Sequence, residues 1–109
     1  MTNHARNGAG RERRVSKWMH ERGWFQVMRA AGSKGVADLA MLHPFYGLAW
    51  VQVGTAASKR LSPLDRDRLV TVAEQTNALP LLATSGPGIP TRLHVVTREA
   101  ASKWKEFGA

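Results

Sequence analysis

The stretch GVADLAMLHPFYGLAWVQVGT, residues 35–55, decides the fold. Two apolar runs, Ala37–Leu42 and Leu48–Val53, flank HPFYG (His43–Gly47), whose Pro and Gly are turn signals. The segment therefore reads as a β-hairpin of two central strands. Asp38 stands at the front of the first run and Gln52 interrupts the second. Burying either group without a partner costs roughly 1–3 kcal/mol, and more for the charge. Something must satisfy these groups or use them.

Working outward, Arg11–Arg22 has helical periodicity, with Val15, Trp18, Met19 and Arg22 at i, i+3, i+4 and i+7 and Gly23 as the stop. Glu12 falls on the face of this helix that meets the core. Trp24–Arg29 reads as a strand, with Phe25, Val27 and Arg29 on one side and Trp24, Gln26 and Met28 on the other. Ala30–Gly35 is a small-residue loop carrying Ser33 and Lys34. Beyond the hairpin, Thr55–Pro63 is a polar loop leading to a helix with Ser62 as N-cap, Pro63 at N1 and Asp65 near N3, where a carboxylate suits the dipole. That helix runs to about Asn77 on the stripe Leu69, Val72, Ala73, Thr76. Pro80–Thr84 and Leu93–Thr97 are two further strands around the Gly/Pro loop SGPGIP, and Arg98–Phe107 reads as a final helix facing inward through Ala100, Ala101, Trp104 and Phe107. The order αβββαββα predicts an α/β fold with a central mixed five-stranded sheet flanked by helices. Residues 1–10 read as a flexible basic arm and residues 11–109 as one domain.

Length and charge narrow the partner. At 109 residues the chain has room for one core. Sixteen Lys and Arg against eight Asp and Glu give a net charge of +8, which points to a polyanion, and to nucleic acid before a membrane surface. No apolar run approaches the ~20 residues that span a bilayer, and the N-terminus lacks the apolar core of a signal peptide. A cytoplasmic location follows as the expectation. The absence of cysteine removes disulfides, thiolate zinc sites and a Cys nucleophile. His4, His20, His43 and His94 have no ligand-like spacing and read as scattered surface or edge residues.

If the hairpin forms, Asp38 and Gln52 lie side by side near one of its ends. With Glu12 on the inner face of the first helix, three side chains present oxygen to one hard cation, Mg²⁺ or Mn²⁺. Plainer roles stand beside this one. Glu12 fits a first-turn carboxylate, Asp38 a turn cap after Gly35, and Gln52 a hydrogen-bonded polar group within a strand.

In RNGAGRERRVSKWMHERGWFQVMRAAGSKGVADLA the order of features resembles the archaeal-type Holliday-junction resolvases and their phage relatives, within the PD-(D/E)xK nuclease superfamily. The shared features are a basic Gly-containing start, Glu-Arg on helix one, a Gly-aromatic step into strand one, Arg-x-x-Gly-Ser, and Asp-Leu on strand two. The likeness continues through Trp50–Gly54, the helix after Ser62-Pro63, and the Pro80–Ala83 strand. It implies a restriction-endonuclease-like fold, a homodimer acting on branched or four-way-junction DNA, and phosphodiester hydrolysis with Mg²⁺ or Mn²⁺. Glu12, Asp38, Gln52 and the Val53 carbonyl would hold the cation. Arg13 and Arg29 match the arginines that touch scissile-strand phosphates, and Arg6, Arg11, Ser33, Lys34, Lys59 and Arg60 would line the DNA path. The strand-three motif of the family ends in lysine, whereas this chain has Gln52-Val53-Gly54. Losing such a charge costs on the order of 10²–10³ in rate, by analogy with deleted oxyanion donors. Lys59, or Lys34 from the opposite side, is the candidate to fill the place. The alternative is a catalytically inactive DNA-binding accessory module that keeps the fold, of phage or similar origin.

Overall fold

The computed structural model describes residues 4–30, 35–55 and 61–108, with side chains from Gly10 onward. Helix α1 (His4–His20) leads to β1 (Phe25–Arg29), β2 (Leu39–His43) and β3 (Gly47–Thr55). Helix α2 (Pro63–Thr76) then precedes β4 (Leu79–Gly86), β5 (Ile89–Val95) and β6 (Lys105–Phe107). The strands form one sheet in the order β1-β2-β3-β4-β5-β6. Every neighbouring pair is antiparallel except β3–β4, which is parallel and bridged by α2. A parallel pair needs such a crossover, because a tight turn cannot bring the chain back to the same end of the sheet.

Each helix covers one face. Under α1, Val15, Met19 and Trp24 pack on Leu39, Met41, Val51, Leu81 and Leu93. On the opposite face Leu69 and Val70 of α2 meet Leu82, Val96 and Trp104. The start of α2 is as the sequence predicts: Ser62 Oγ accepts the Asp65 amide at 3.1 Å with Pro63 in the first turn. The helix ends on Asn77 in the left-handed region, φ 56°. Gly23 ends α1 at φ 95°, where a Cβ would come within 2.9 Å of His43 Nε2. Only glycine meets both demands.

The structure corrects several expectations. Arg98–Phe107 is not a helix but a 3₁₀ turn, Ala101–Lys103, followed by β6, so the sheet has six strands rather than five. Ten residues are too few for a helix to hold without broad packing. Strand β6 instead pairs with β5 in the register Leu93↔Phe107. Trp104 still points inward, and its indole donates to the Glu99 carbonyl at 3.1 Å. SGPGIP is a hairpin turn at Pro87-Gly88, with Ile89 already in β5. Helix α1 starts at His4 rather than Arg11, so the stretch read as an arm is helical from residue 4. His94, read as a surface or edge residue, is buried, with Nε2 3.4 Å from Thr84 Oγ1. His43 Nε2 lies 3.2 Å from the Arg22 carbonyl, while its Nδ1 accepts the Phe45 and Tyr46 amides, so it holds the β2–β3 turn.

Candidate metal centre

The site forms at the end of the sheet that holds the start of β2 and the end of β3, between Arg11 and Glu12 of α1 and Asp65 in the first turn of α2. The hairpin register Leu39↔Val51 places Asp38 beside Gln52. The Asp38 amide donates to the Val51 carbonyl at 2.9 Å, and Asp38 Oδ2 accepts the Val53 amide at 2.8 Å. Gln52 donates Nε2 to the Val36 carbonyl at 2.7 Å, and its Oε1 has no partner among the described residues. These bonds answer half of the puzzle of polar groups in apolar strands. Each side chain satisfies one backbone group and keeps an oxygen for the cavity.

Glu12 reaches the same place from α1. That helix begins two turns earlier, so Glu12 is not a first-turn carboxylate. A β-bulge between Gln26 and Met28 breaks the alternation of β1. Gln26 and Arg29 thereby both face α1, opposite Met41 and Leu39, while Phe25 and Met28 face the other way. Gln26 accepts the Ser16 hydroxyl at 2.7 Å, and Arg29 Nε donates to Glu12 Oε1 at 2.9 Å. A bulge re-aims side chains in this manner because one residue is left out of the pairing. The expected grouping of Phe25, Val27 and Arg29 on one side is overturned for that reason.

Arg11, Glu12, Gly35, Asp38, Gln52, Val53, Leu61 and Asp65 line a single cavity of about 350 Å³. Three acids and one amide thus converge where the sequence placed two acids and the amide. Asp65 is the addition. It reads from the sequence as a helix-dipole residue, yet α2 starts where β3 ends, and that brings its first turn back to the site. A neighbouring cavity of about 230 Å³ shares Gly35, Gln52 and Asp65 and adds Val36 and Arg68. A third, of about 180 Å³, sets Arg11 and Arg14 against Thr55, Ser85, Gly86, Pro87 and Ile89.

Burial pushes the Asp38 carboxyl above its ordinary 3.8, the Val53 amide opposes that, and the negative charge of Glu12 pushes it further up. A divalent cation in the cavity would relieve that pressure on the Asp38 charge. The donor set fits a hard ion, being all oxygen. Among the described residues, no group of three or more His, Cys, Asp or Glu side chains has a metal-holding arrangement. Gly54 sits in β3 opposite Thr84, two residues from Gln52 and on its face of the sheet. Arg13 is exposed on α1 and does not line the cavity. Ser33, Lys34, Lys59 and Arg60 lie outside the described residues, as does the side chain of Arg6.

No protein-family model and no curated protein matches this chain. Among solved structures it is similar to Archaeoglobus fulgidus Hjc, a Holliday junction resolvase from an archaeal hyperthermophile. The TM-score is 0.67 at 20% identity, covering 80% of this chain and 75% of that one. The likeness establishes the restriction-endonuclease-like α/β fold.

Proposed function

We propose that the protein binds branched DNA and hydrolyses phosphodiesters in it with Mg²⁺ or Mn²⁺, as a resolvase-like endonuclease of weakened activity acting in the cytoplasm. The observation that carries this reading is the single cavity shared by Glu12, Asp38 and Gln52 in this fold. Glu12, Asp38, Gln52 and the Val53 carbonyl would hold the cation, which when bound polarises the phosphoryl oxygen and acidifies a water. Val53 N–H fixes one Asp38 oxygen and leaves the other for the cavity. Arg29 and Arg13 hold phosphates of the scissile strand, and Arg6, Arg11, Ser33, Lys34 and Arg60 carry the DNA path beyond it. Lys59 supplies the ammonium that position 54 lacks, with Lys34 as the other source.

A homodimer matches two cuts on a four-way junction, since C₂ symmetry supplies a pair of sites. Its interface is the sheet face that α2 leaves uncovered, where Phe25, Met28 and Leu42 are 55%, 47% and 45% exposed although they point along a face rather than an edge. Apolar contiguity of that kind marks an interaction surface.

Gly54 favours a second reading, an accessory DNA-binding module without cleavage. Labelled four-way junction and linear duplex, incubated with and without Mn²⁺, separate the two. The enzyme reading expects junction binding and Mn²⁺-dependent nicking that Asp38→Ala abolishes; binding without nicking leaves the module. Either way affinity falls steeply with salt as counterions are released. Junction affinity that barely changes between low and moderate salt would overturn both.

A further inference from the structure

The Glu12–Arg29 ion pair joins two groups that the proposed reaction assigns to different ligands. Glu12 is a cation ligand and Arg29 a phosphate ligand, yet Arg29 Nε sits 2.9 Å from Glu12 Oε1. The Glu12 side chain is 14% exposed and that of Arg29 is 44% exposed. The carboxylate is therefore mostly buried and lines the cavity, while the guanidinium that holds it is half exposed and does not line the cavity. On the face of β1 that meets α1, Arg29 is brought to Glu12 by the bulge at Gln26/Met28 and by nothing in the local alternation.

We infer that Arg29 is a displaceable counter-ion of Glu12, and that its exchange makes cation binding and DNA phosphate binding mutually reinforcing. The inference rests on the nuclease reading above and goes beyond it by assigning a coupling. Without ligands, the guanidinium neutralises one of the three acids that line the cavity. A divalent ion held by Glu12 would put a like charge beside Arg29, and the hydrogen bond from Arg29 Nε to Glu12 Oε1 is the interaction that would be given up. The freed guanidinium, half exposed beside Glu12, would have its fork of donors available to a phosphate. A phosphate already bound there draws Arg29 off Glu12 and vacates the oxygen. Linkage requires the two effects to be equal: whatever factor DNA adds to cation affinity, the cation adds to DNA affinity.

This differs from the usual supporting role of a residue that touches a metal ligand. A residue that orients a ligand strengthens metal binding, and its loss weakens it about 10- to 100-fold. A counter-ion competes, and its loss strengthens binding. The sign of one substitution therefore decides.

The test counts free Mn²⁺ by electron paramagnetic resonance while full-length protein is titrated with the ion, alone and with a synthetic four-way junction, after subtraction of the ion that DNA binds by itself. Thermal melting establishes that each variant is folded. In the wild type, junction DNA should tighten Mn²⁺ binding about fivefold or more. Arg29→Gln should tighten Mn²⁺ binding in the absence of DNA by a similar factor and lose most of the DNA enhancement. Arg29→Lys, which keeps the charge, should bind Mn²⁺ as weakly as the wild type. Weaker or unchanged Mn²⁺ binding by Arg29→Gln overturns the inference, as does wild-type Mn²⁺ affinity indifferent to DNA. Should Arg29→Gln fail to fold, that wild-type comparison decides alone. No Mn²⁺ binding by the wild type with or without DNA overturns the nuclease reading as well, whereas uncoupled binding sinks only the exchange.

Discussion

Replacing Asp38 by Asn and by Ala separates its two jobs, because the variants differ in one hydrogen bond. Asp38 Oδ2 accepts the Val53 amide at 2.8 Å in a part-buried position of a central strand. Asn keeps a carbonyl oxygen for that amide. Ala removes the acceptor and leaves the donor stranded, which costs about 1–3 kcal/mol. At about 4–8 °C per kcal/mol for a domain near this size, Asp38→Ala should melt at least about 4 °C below Asp38→Asn. The folded state holds the Asp38 proton more tightly than the ordinary value of 3.8, through burial and the neighbouring Glu12. The folded state then binds more protons than the unfolded state, so this group subtracts stability as pH rises from 3.8 through the raised folded value. Asp38→Asn removes that loss and should equal or exceed the wild type at neutral pH, with the advantage gone by about pH 3. Urea denaturation at the two pH values measures it. Mn²⁺ adds the second readout: at 100 times its Kd it should stabilise the wild type by about 2.7 kcal/mol, and neither variant comparably. Equal destabilisation by Asn and Ala at neutral pH would refute the account of a charge held against its environment.

Gly54→Lys places an ammonium stem on the Gln52 face of β3 and, introduced into a Lys59→Ala background, should restore Mn²⁺-dependent junction nicking by about 10²–10³ in single-turnover assays; no restoration would show that position 54 is not the missing group. Leu42→Lys puts a charge in the centre of the uncovered sheet face and should convert a dimer to a monomer in sedimentation at micromolar protein, while a wild type that is already monomeric there contradicts the assigned interface. Leu81 lies in a central strand with no exposure, and Leu81→Ala should cost about 2.7–5.0 kcal/mol in urea denaturation; a loss below 1 kcal/mol would contradict the tight packing under α1.

Much of this was legible because local chemistry and tertiary position agree. The turn at HPFYG, the cap at Ser62-Pro63 and the apolar strand around Leu81 and Leu82 each carry their own signal, and each stands where the sequence put it. The convergence of Glu12, Asp38 and Gln52 followed from the hairpin, since one register sets both Asp38 and Gln52. What was hidden is long-range. The bulge in β1 has no turn residue to announce it, and it moved Arg29 from the Phe25 side to Glu12. The segment after Arg98 has helical spacing at Ala101 and Trp104, but a free edge on β5 offered backbone pairing that a short helix could not match. Asp65 looked like helix chemistry because its role depends on where α2 starts in space. His94 looked peripheral because nothing in its neighbours in sequence predicts Thr84 across the β4–β5 pair.

The central claim is a cation held between helix α1 and the β2–β3 hairpin. Crystals grown with Mn²⁺ and measured for anomalous scattering test it most directly. The account predicts one strong peak in the cavity, with oxygens of Glu12 and Asp38 as shared ligands. A map with no peak there, or with Mn²⁺ only on exposed acids such as Glu74 or Glu106, would contradict it.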